Sequence, residues 1–227
     1  MQLTLAEKKK ETGNAVSFLW KSDRPVSWTP GQFLRYSLPH EDIDKRSADR
    51  WFTISSAPHE GYMMLTTRFA ESGSSFKKAL QNMSIGGVIE AEGPAGDFVV
   101  EDPSHEMVFI AGGIGITPYR SILLDLAYRE LPMNVTLLYA NRGNDFIFKK
   151  ELETLAETHS TFTIHYFVEP NRIDEDEIRE NISGIEKPLF YLSGPEPMAD
   201  ALEKILAQIG VPDEHVERDY FPGYPWP

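Results

Sequence analysis

Apolar and polar positions come in short runs over the first hundred residues: QLTLA (2–6), AVSFLW (15–20), QFLRYSL (32–38), WFTISS (51–56), YMMLTTRF (62–69) and VIEAEG (88–93). Such runs, rich in β-branched and aromatic residues, read as strands with one buried face. The segments between them carry turn chemistry: TGN, SDRP, TPG, a charged loop, HEG and IGG. Six short strands at this spacing predict a six-stranded antiparallel Greek-key β-barrel. One helix interrupts them, in SGSSFKKALQNM, where Ser74 or Ser75 can cap the N-terminus and Phe76 and Leu80 share a face.

From about residue 104 the period changes. MVFIAGG leads into YRSILLDLAYRE, whose Tyr119, Ile122, Leu123, Leu126 and Ala127 form one helical stripe. VTLLYA precedes FKKELETLA, TIHYFV precedes DEDEIREN, and PLFYLSG precedes PMADALEKILAQIG. Four strand–helix units imply a parallel sheet with helices on its faces. The boundary is expected near EDPSHE (101–106), giving a domain at 1–101 and an α/β domain at 104–227.

Composition narrows the classes. The longest apolar runs, MVFIA and VTLLYA, fall far short of the ~20 residues that a membrane span requires. The start, MQLTLAEKKKET, lacks the order of a secretory signal, so a cytoplasmic protein is expected. The chain has no cysteine, which removes disulfides, thiolate metal sites and iron–sulfur clusters, and no metal site is expected. Redox chemistry would have to ride on an organic cofactor. The net charge of -13 is uneven: residues 1–101 hold 12 Lys and Arg against 13 Asp and Glu, and residues 102–227 hold 10 against 22. That acidity argues against nucleic acid, which is bound by clustered cations. The near-neutral first part leaves room for a local basic patch from Lys8, Lys9, Lys10, Lys77 and Lys78.

Three stretches could meet a phosphate or a nucleotide. AGGIGITP (111–118) closes a strand and opens a helix, so Gly112, Gly113 and Gly115 permit a tight turn and close ligand approach. It is not the usual dinucleotide fingerprint, and Pro118 serves equally as a helix-start residue. YLSGPEPM (191–198) puts Ser193 and Gly194 at a strand's carboxyl end, where a plain turn accounts for it as well. GSSF (73–76) offers a helix N-terminus with two hydroxyls, which capping alone also explains.

Taken together and in order, these motifs resemble the ferredoxin–NADP reductase superfamily over nearly the whole chain, in the form of a bacterial-type member without an iron–sulfur domain. RWFTISSAP (50–58) is similar to that family's R-x-(Y/F)-(S/T) flavin motif. The resemblance implies that Arg50 pairs with the flavin phosphate, that Phe52 packs on the isoalloxazine, and that the Thr53 hydroxyl lies near flavin N5, with Trp51 among the contacts. GQF (31–33) and EGPAGDF (92–98) look like the segments that flank the motif and close the barrel. By the same resemblance Thr66, Thr67 and Arg68 of TTRF lie beside the flavin, and Gly73, Ser74 and Ser75 hold its phosphates. GGIGITP and SGPEPM look like the two nicotinamide-nucleotide motifs, which adds Ile116, Thr117, Pro118, Pro195 and Met198 to the expected contacts. DYFPGY (219–224) resembles the aromatic end of bacterial members, implying that Tyr224 stacks on the flavin face used by the nicotinamide. Two departures stand out: Ser193-Gly194 where many members carry Cys-Gly, and the extra YPWP.

The function implied is hydride transfer from NADPH or NADH to FAD, preferred here to FMN, with electrons passed to an external carrier such as ferredoxin or flavodoxin. An oxygenase's reductase component or a free-flavin reductase is the alternative within enzymes, and a non-catalytic flavin- or nucleotide-binding module of a larger complex is the alternative outside them. Asn141 and Arg142, after the second strand of the α/β part, are the expected nucleotide-choice residues; Arg142 favours NADPH and Asp145 opposes it.

Overall fold

The computed structural model describes residues 1–45, 47–71 and 73–221, without the side chains of Tyr220 and Phe221. It divides into two compact units, one of Met1–Val99 together with Arg120–Asp125, the other of Val100–Tyr119 and the chain from Leu126 onward.

The first unit is built on β1 (Gln2–Lys10), β2 (Ala15–Ser22), β3 (Phe33–Ser37), β4 (Asp49–Thr53), β5 (Met63–Arg68) and β6 (Val88–Ala95), in the antiparallel order β4-β3-β6-β1-β2-β5. Alternation does the work expected of it. Leu3 and Leu5 of β1, Phe18 and Trp20 of β2, and Leu34 and Tyr36 of β3 are buried in one core, each large side chain contributing about 1.5–3 kcal/mol by leaving water. The helix α1 (Ser75–Asn82) adds Phe76 and Leu80, and its N-cap Ser74 accepts a hydrogen bond from the Lys77 N–H. Gly31 has φ +101, and a Cβ there would lie 1.9 Å from the Phe98 carbonyl oxygen, which accounts for glycine in GQF.

Strand β4 ends at Thr53, three residues earlier than the hydrophobic run suggests. Ser55 and Ser56 take over the main-chain bonding: the Ser55 hydroxyl donates to the Met64 carbonyl, and the Ser56 hydroxyl accepts from the Met64 N–H while donating to the Tyr62 carbonyl. Hydroxyls that capture backbone groups in this way compete with a strand ladder.

The second unit has five parallel strands, β7 (Met107–Gly112), β8 (Val135–Asn141), β9 (Phe162–Val168), β10 (Leu189–Pro195) and β11 (Val216–Phe221), in the order β11-β10-β7-β8-β9. Four helices follow its strands, α2 (Ile116–Tyr128), whose Arg120–Asp125 stretch groups with the first unit, α3 (Lys149–Thr158), α4 (Glu175–Asn181) and α5 (Glu196–Ile209). Central β7 is buried along its whole length, the pattern of a strand covered on both faces. Helix α2 begins before the stripe that predicted it, since Pro118 sits in the first turn, where its missing N–H costs nothing.

One sequence expectation needs correction. The four strand–helix units give the α/β domain four strands and leave DYFPGY as an aromatic end, whereas Val216–Phe221 forms a fifth strand paired in parallel with β10 from Phe190↔Val216 to Pro195↔Phe221. Three successive charges, Glu217, Arg218 and Asp219, hide this strand, because an edge strand is held by main-chain pairing as much as by a buried face. Among the described residues no helix is long and apolar enough to cross a membrane.

Candidate functional site

In the first unit, β4 sorts the flavin motif by strand alternation. Arg50 and Phe52 lie on one face. The Phe52 ring is 5.9 Å from Tyr36 and 5.8 Å from Phe76, centre to centre. Trp51 lies on the other face, 57% exposed, with the Arg35 guanidinium 5.8 Å over its ring. Thr53 is buried.

The Arg50 guanidinium is anchored by the carbonyls of Ser47 and Asp49 at 2.9 and 2.6 Å and lies 5.6 Å over the Phe76 ring. Its other nitrogen meets Asp44 Oδ1 at 3.0 Å. The second carboxylate oxygen, Oδ2, accepts the main-chain N–H of Ser75 at 3.0 Å, in the first turn of α1. A carboxylate therefore bridges a guanidinium and a helix N-terminus, and these are the donors by which proteins hold phosphate. This arrangement fits the phosphate end of a flavin nucleotide. His40 Nε2 and the Asp44 N–H both meet the Ser75 hydroxyl, at 2.9 and 3.0 Å.

Beside it, Gly73 precedes the Ser74 cap. The Thr66 hydroxyl is bonded to Ser17 and Ser55, each at 2.8 Å. The Thr67 hydroxyl is buried with no hydrogen-bond partner among the described residues. Arg68 donates to Asn14 Oδ1.

In the second unit, the two glycine motifs come together because β7 and β10 are neighbours, with Ala111 opposite Ser193. Both open at the carboxyl edge of the sheet, where open α/β sheets receive ligands. A Cβ on Gly115 would lie 2.1 Å from the Ser193 carbonyl oxygen, and one on Gly112 would lie 2.5 Å from Met198 Sδ. Gly113 has φ +55 and nothing nearer its missing Cβ than Asn141 Oδ1, at 3.8 Å. Ile116 and Thr117 are buried at the head of α2, where the Thr117 hydroxyl donates to the Ile114 carbonyl, and Pro118 follows them. Gly194 lies against Gly112, and Pro195 caps α5. Gly112 and Gly115 thus let the two motifs pack tightly, and Gly113 leaves its backbone open to a ligand that must approach the main chain closely.

The Ser193 hydroxyl is fully buried and has no partner among the described residues. Such an atom is costly unless a ligand group meets it. Opposite Ser193 on β11 stands Asp219, whose carboxyl burial pushes up to about 6. The Asn141 amide donates to the Gly143 carbonyl at 2.8 Å and to Asp145 Oδ1 at 3.1 Å, while Arg142 is exposed. Tyr224 lies outside the described residues.

Sequence reasoning missed Asp44, His40 and Asp219. Asp44 sits in a charged loop that composition assigns to solvent, and Asp219 in the charged run that concealed β11.

Comparison with known proteins matches the chain to two domain types. A family model for the oxidoreductase FAD-binding domain matches residues 2–100, and one for the oxidoreductase NAD-binding domain matches residues 109–204. The chain is 29% identical to the flavohemoprotein of Halalkalibacterium halodurans, across 95% of this chain and 58% of that protein. It is 30% identical to the reductase component of phenol 2-monooxygenase from a Pseudomonas species, across 88% and 58%. With the ferredoxin reductase component of 3-ketosteroid-9-alpha-monooxygenase from Mycolicibacterium smegmatis the identity is 29%, across 97% and 65%. The chain thus spans about three fifths of the length of these relatives. Its fold is that of the flavohem-like FAD/NAD-binding domain of nitric oxide dioxygenase from Vibrio cholerae, with a TM-score of 0.85, 24% identity and coverage of 97% and 98%. It is also that of ferredoxin-NADP+ reductase from Plasmodium falciparum, with a TM-score of 0.80, 18% identity and coverage of 97% and 95%. With both domain models matched in order over most of the chain, the chain belongs to the oxidoreductases that combine an FAD-binding with an NAD-binding domain, and its fold is the ferredoxin-NADP+ reductase-like one.

Proposed function

We propose that this chain carries electrons from NAD(P)H through FAD to a protein acceptor, with the flavin on the 1–101 domain and the nucleotide on the 104–227 domain. The observation that carries the reading is the anion seat formed by Arg50 and the first turn of α1 next to the Phe52 ring. Arg50, the Ser75 N–H and the Gly73–Ser74 turn take the flavin phosphates. Phe52 packs on the ring system with Trp51 at its margin, Thr53 offers its hydroxyl near N5, and Thr66, Thr67 and Arg68 border the ring on β5. Bound there, FAD would supply the chemistry of hydride acceptance and single-electron release. In the other unit, Gly112, Gly113, Gly115 and the Ile116–Pro118 turn receive the pyrophosphate, while Ser193, Gly194, Pro195 and Met198 border the nicotinamide. Asn141 and Arg142 lie at the adenosine end.

The geometry around Asn141 favours NADH over NADPH, against the lean that Arg142 gives in the sequence. By engaging Asp145, Asn141 fixes a carboxylate beside Gly143, just after β8, where it would repel a 2′-phosphate. A cytoplasmic setting belongs to the same reading, since NAD(P)H is held inside the cell.

A ferredoxin or flavodoxin is the acceptor by family likeness. The specific alternative is an oxygenase served directly, favoured by relatives that are themselves reductase components of monooxygenases. Titrating FAD into flavin-stripped wild type and Arg50→Ala tests the flavin site. Loss of a charge-assisted phosphate contact should weaken binding roughly tenfold to a hundredfold, and equal affinities would reject the assignment. Screening the reduced protein against ferredoxin, flavodoxin and oxygenase components then separates the acceptors.

A further inference from the structure

The anion seat of the first unit is filled by the chain itself. Asp44 belongs to the loop between β3 and β4. Its carboxylate uses both oxygens there, one on Arg50 Nη2 and one on the Ser75 N–H, each at 3.0 Å. The Arg50 side chain is only 15% exposed and is held independently by the Ser47 and Asp49 carbonyls, so the cationic side of the seat is set without Asp44. Leaving that guanidinium without a counter-charge would be costly at this burial, and Asp44 supplies one. The loop bears the cost of reaching in. Asp42 and Ser47 both adopt left-handed backbone, with φ of 52 and 69, a conformation rare for residues other than glycine.

We propose that Asp44 is an internal stand-in for the flavin phosphate, so that flavin binding is an exchange in which phosphate displaces the carboxylate and releases the loop. This rests on the assignment of the seat to flavin and goes beyond it. Phosphate and carboxylate cannot share the seat, because both are anions and need the same two donors. The exchange lets the apoprotein keep Arg50 paired. It also makes the site selective: a flavin bearing phosphate competes for the donors, whereas riboflavin has no group to displace Asp44.

The test uses flavin-stripped protein, with FAD, FMN, riboflavin and inorganic pyrophosphate titrated into wild type, Asp44→Asn and Asp44→Ser, and folding checked by circular dichroism. Removing the competing charge should tighten FAD, FMN and pyrophosphate by roughly tenfold or more and leave riboflavin unmoved. If one substitution unfolds the unit, the other carries the comparison. If both unfold it, pyrophosphate decides on wild type alone, by calorimetry and amide exchange. Its binding should loosen main-chain protection at Asp44 and Asp49, and binding without that loosening overturns the exchange. Unchanged or weaker FAD binding in the Asp44 variants, with Arg50→Ala still impaired, overturns the exchange and spares the flavin site. Arg50→Ala binding FAD like wild type removes both.

Discussion

The two proposed ligand cradles are built from opposite materials. In the first unit the seat is made of charge, a guanidinium and a helix N-terminus facing a carboxylate from their own chain. In the second it is made of close approach, Gly112 and Gly115 packing without side chains against Met198 and the Ser193 carbonyl while Gly113 leaves its backbone open. Charge can be satisfied by a surrogate, so the first cradle can hold an internal partner until a ligand comes. Close packing has no surrogate, so the second depends on glycine where a Cβ would meet Met198 or the Ser193 carbonyl. Failure should differ accordingly: the first unit is sensitive to unpaired charge, and the second to added volume.

The largest effect expected is on the charged side. Within the first unit, Arg120 grips Glu60 with two nitrogens at 2.8 and 2.9 Å and also donates to the Ser55 carbonyl at 2.7 Å, with the Arg120 and Glu60 side chains 5% and 14% exposed. Burial by itself would raise the Glu60 carboxyl, but Arg120, Tyr62 and the Ala57 N–H outweigh it and hold it below the usual range. Arg120→Ala should destabilise by about 3–5 kcal/mol, because a buried carboxylate loses its partner. The sign for pH follows from a lowered acid: Glu60 stabilises above its unfolded value, and that gain disappears as pH falls through the folded one. Wild type should therefore lose part of its advantage over Arg120→Ala in acid. Parallel urea melts at neutral and acidic pH measure this, and a constant difference would remove the pair from the account.

Gly115→Ala should come next and should act on the second unit. Its Cβ would enter the Ser193 carbonyl, so the β7–α2 turn must shift, at a cost of about 1–3 kcal/mol. NAD(P)H affinity should fall sharply while FAD affinity is kept. Calorimetric titration with both ligands shows whether the damage stays in one cradle; equal loss of both would break the contrast between them.

Asp219→Asn should give a smaller, pH-dependent gain. The folded carboxyl is raised from 3.8 to about 6 by burial. The native state therefore binds its proton more tightly than the unfolded chain. The associated stability is full below pH 3.8 and lost as pH rises through about 6. Above that window the asparagine variant should be more stable, by on the order of 3 kcal/mol. Thermal melts across the window check it, and a difference independent of pH would contradict the raised carboxyl.

Smallest is the nucleotide choice. Asp145→Asn should raise kcat/KM for NADPH several-fold and leave NADH little changed; equal changes for both would deny the carboxylate any role at the 2′ position.

How much of this was legible depends on whether a signal is local. The six barrel strands and α1 were legible because alternation and turn residues lie within a few positions of each other, and the parallel sheet because strand and helix periods alternate. Gly112, Gly113 and Gly115 stood out because glycines at a strand end have few other uses. Asp44 did not, because its partner Ser75 is 31 positions away and a carboxylate in a charged loop looks solvated. Asp219 was hidden for the related reason that its burial comes from β11 pairing with β10, a contact absent from any local pattern.

The most direct test of the central claim is anaerobic mixing of the FAD-loaded protein with NADH or NADPH while following the visible absorbance of the flavin. The account predicts rapid bleaching with at least one nucleotide, faster with NADH, and its loss in Gly115→Ala with FAD still bound. A fully loaded wild-type protein that neither nucleotide bleaches would contradict it.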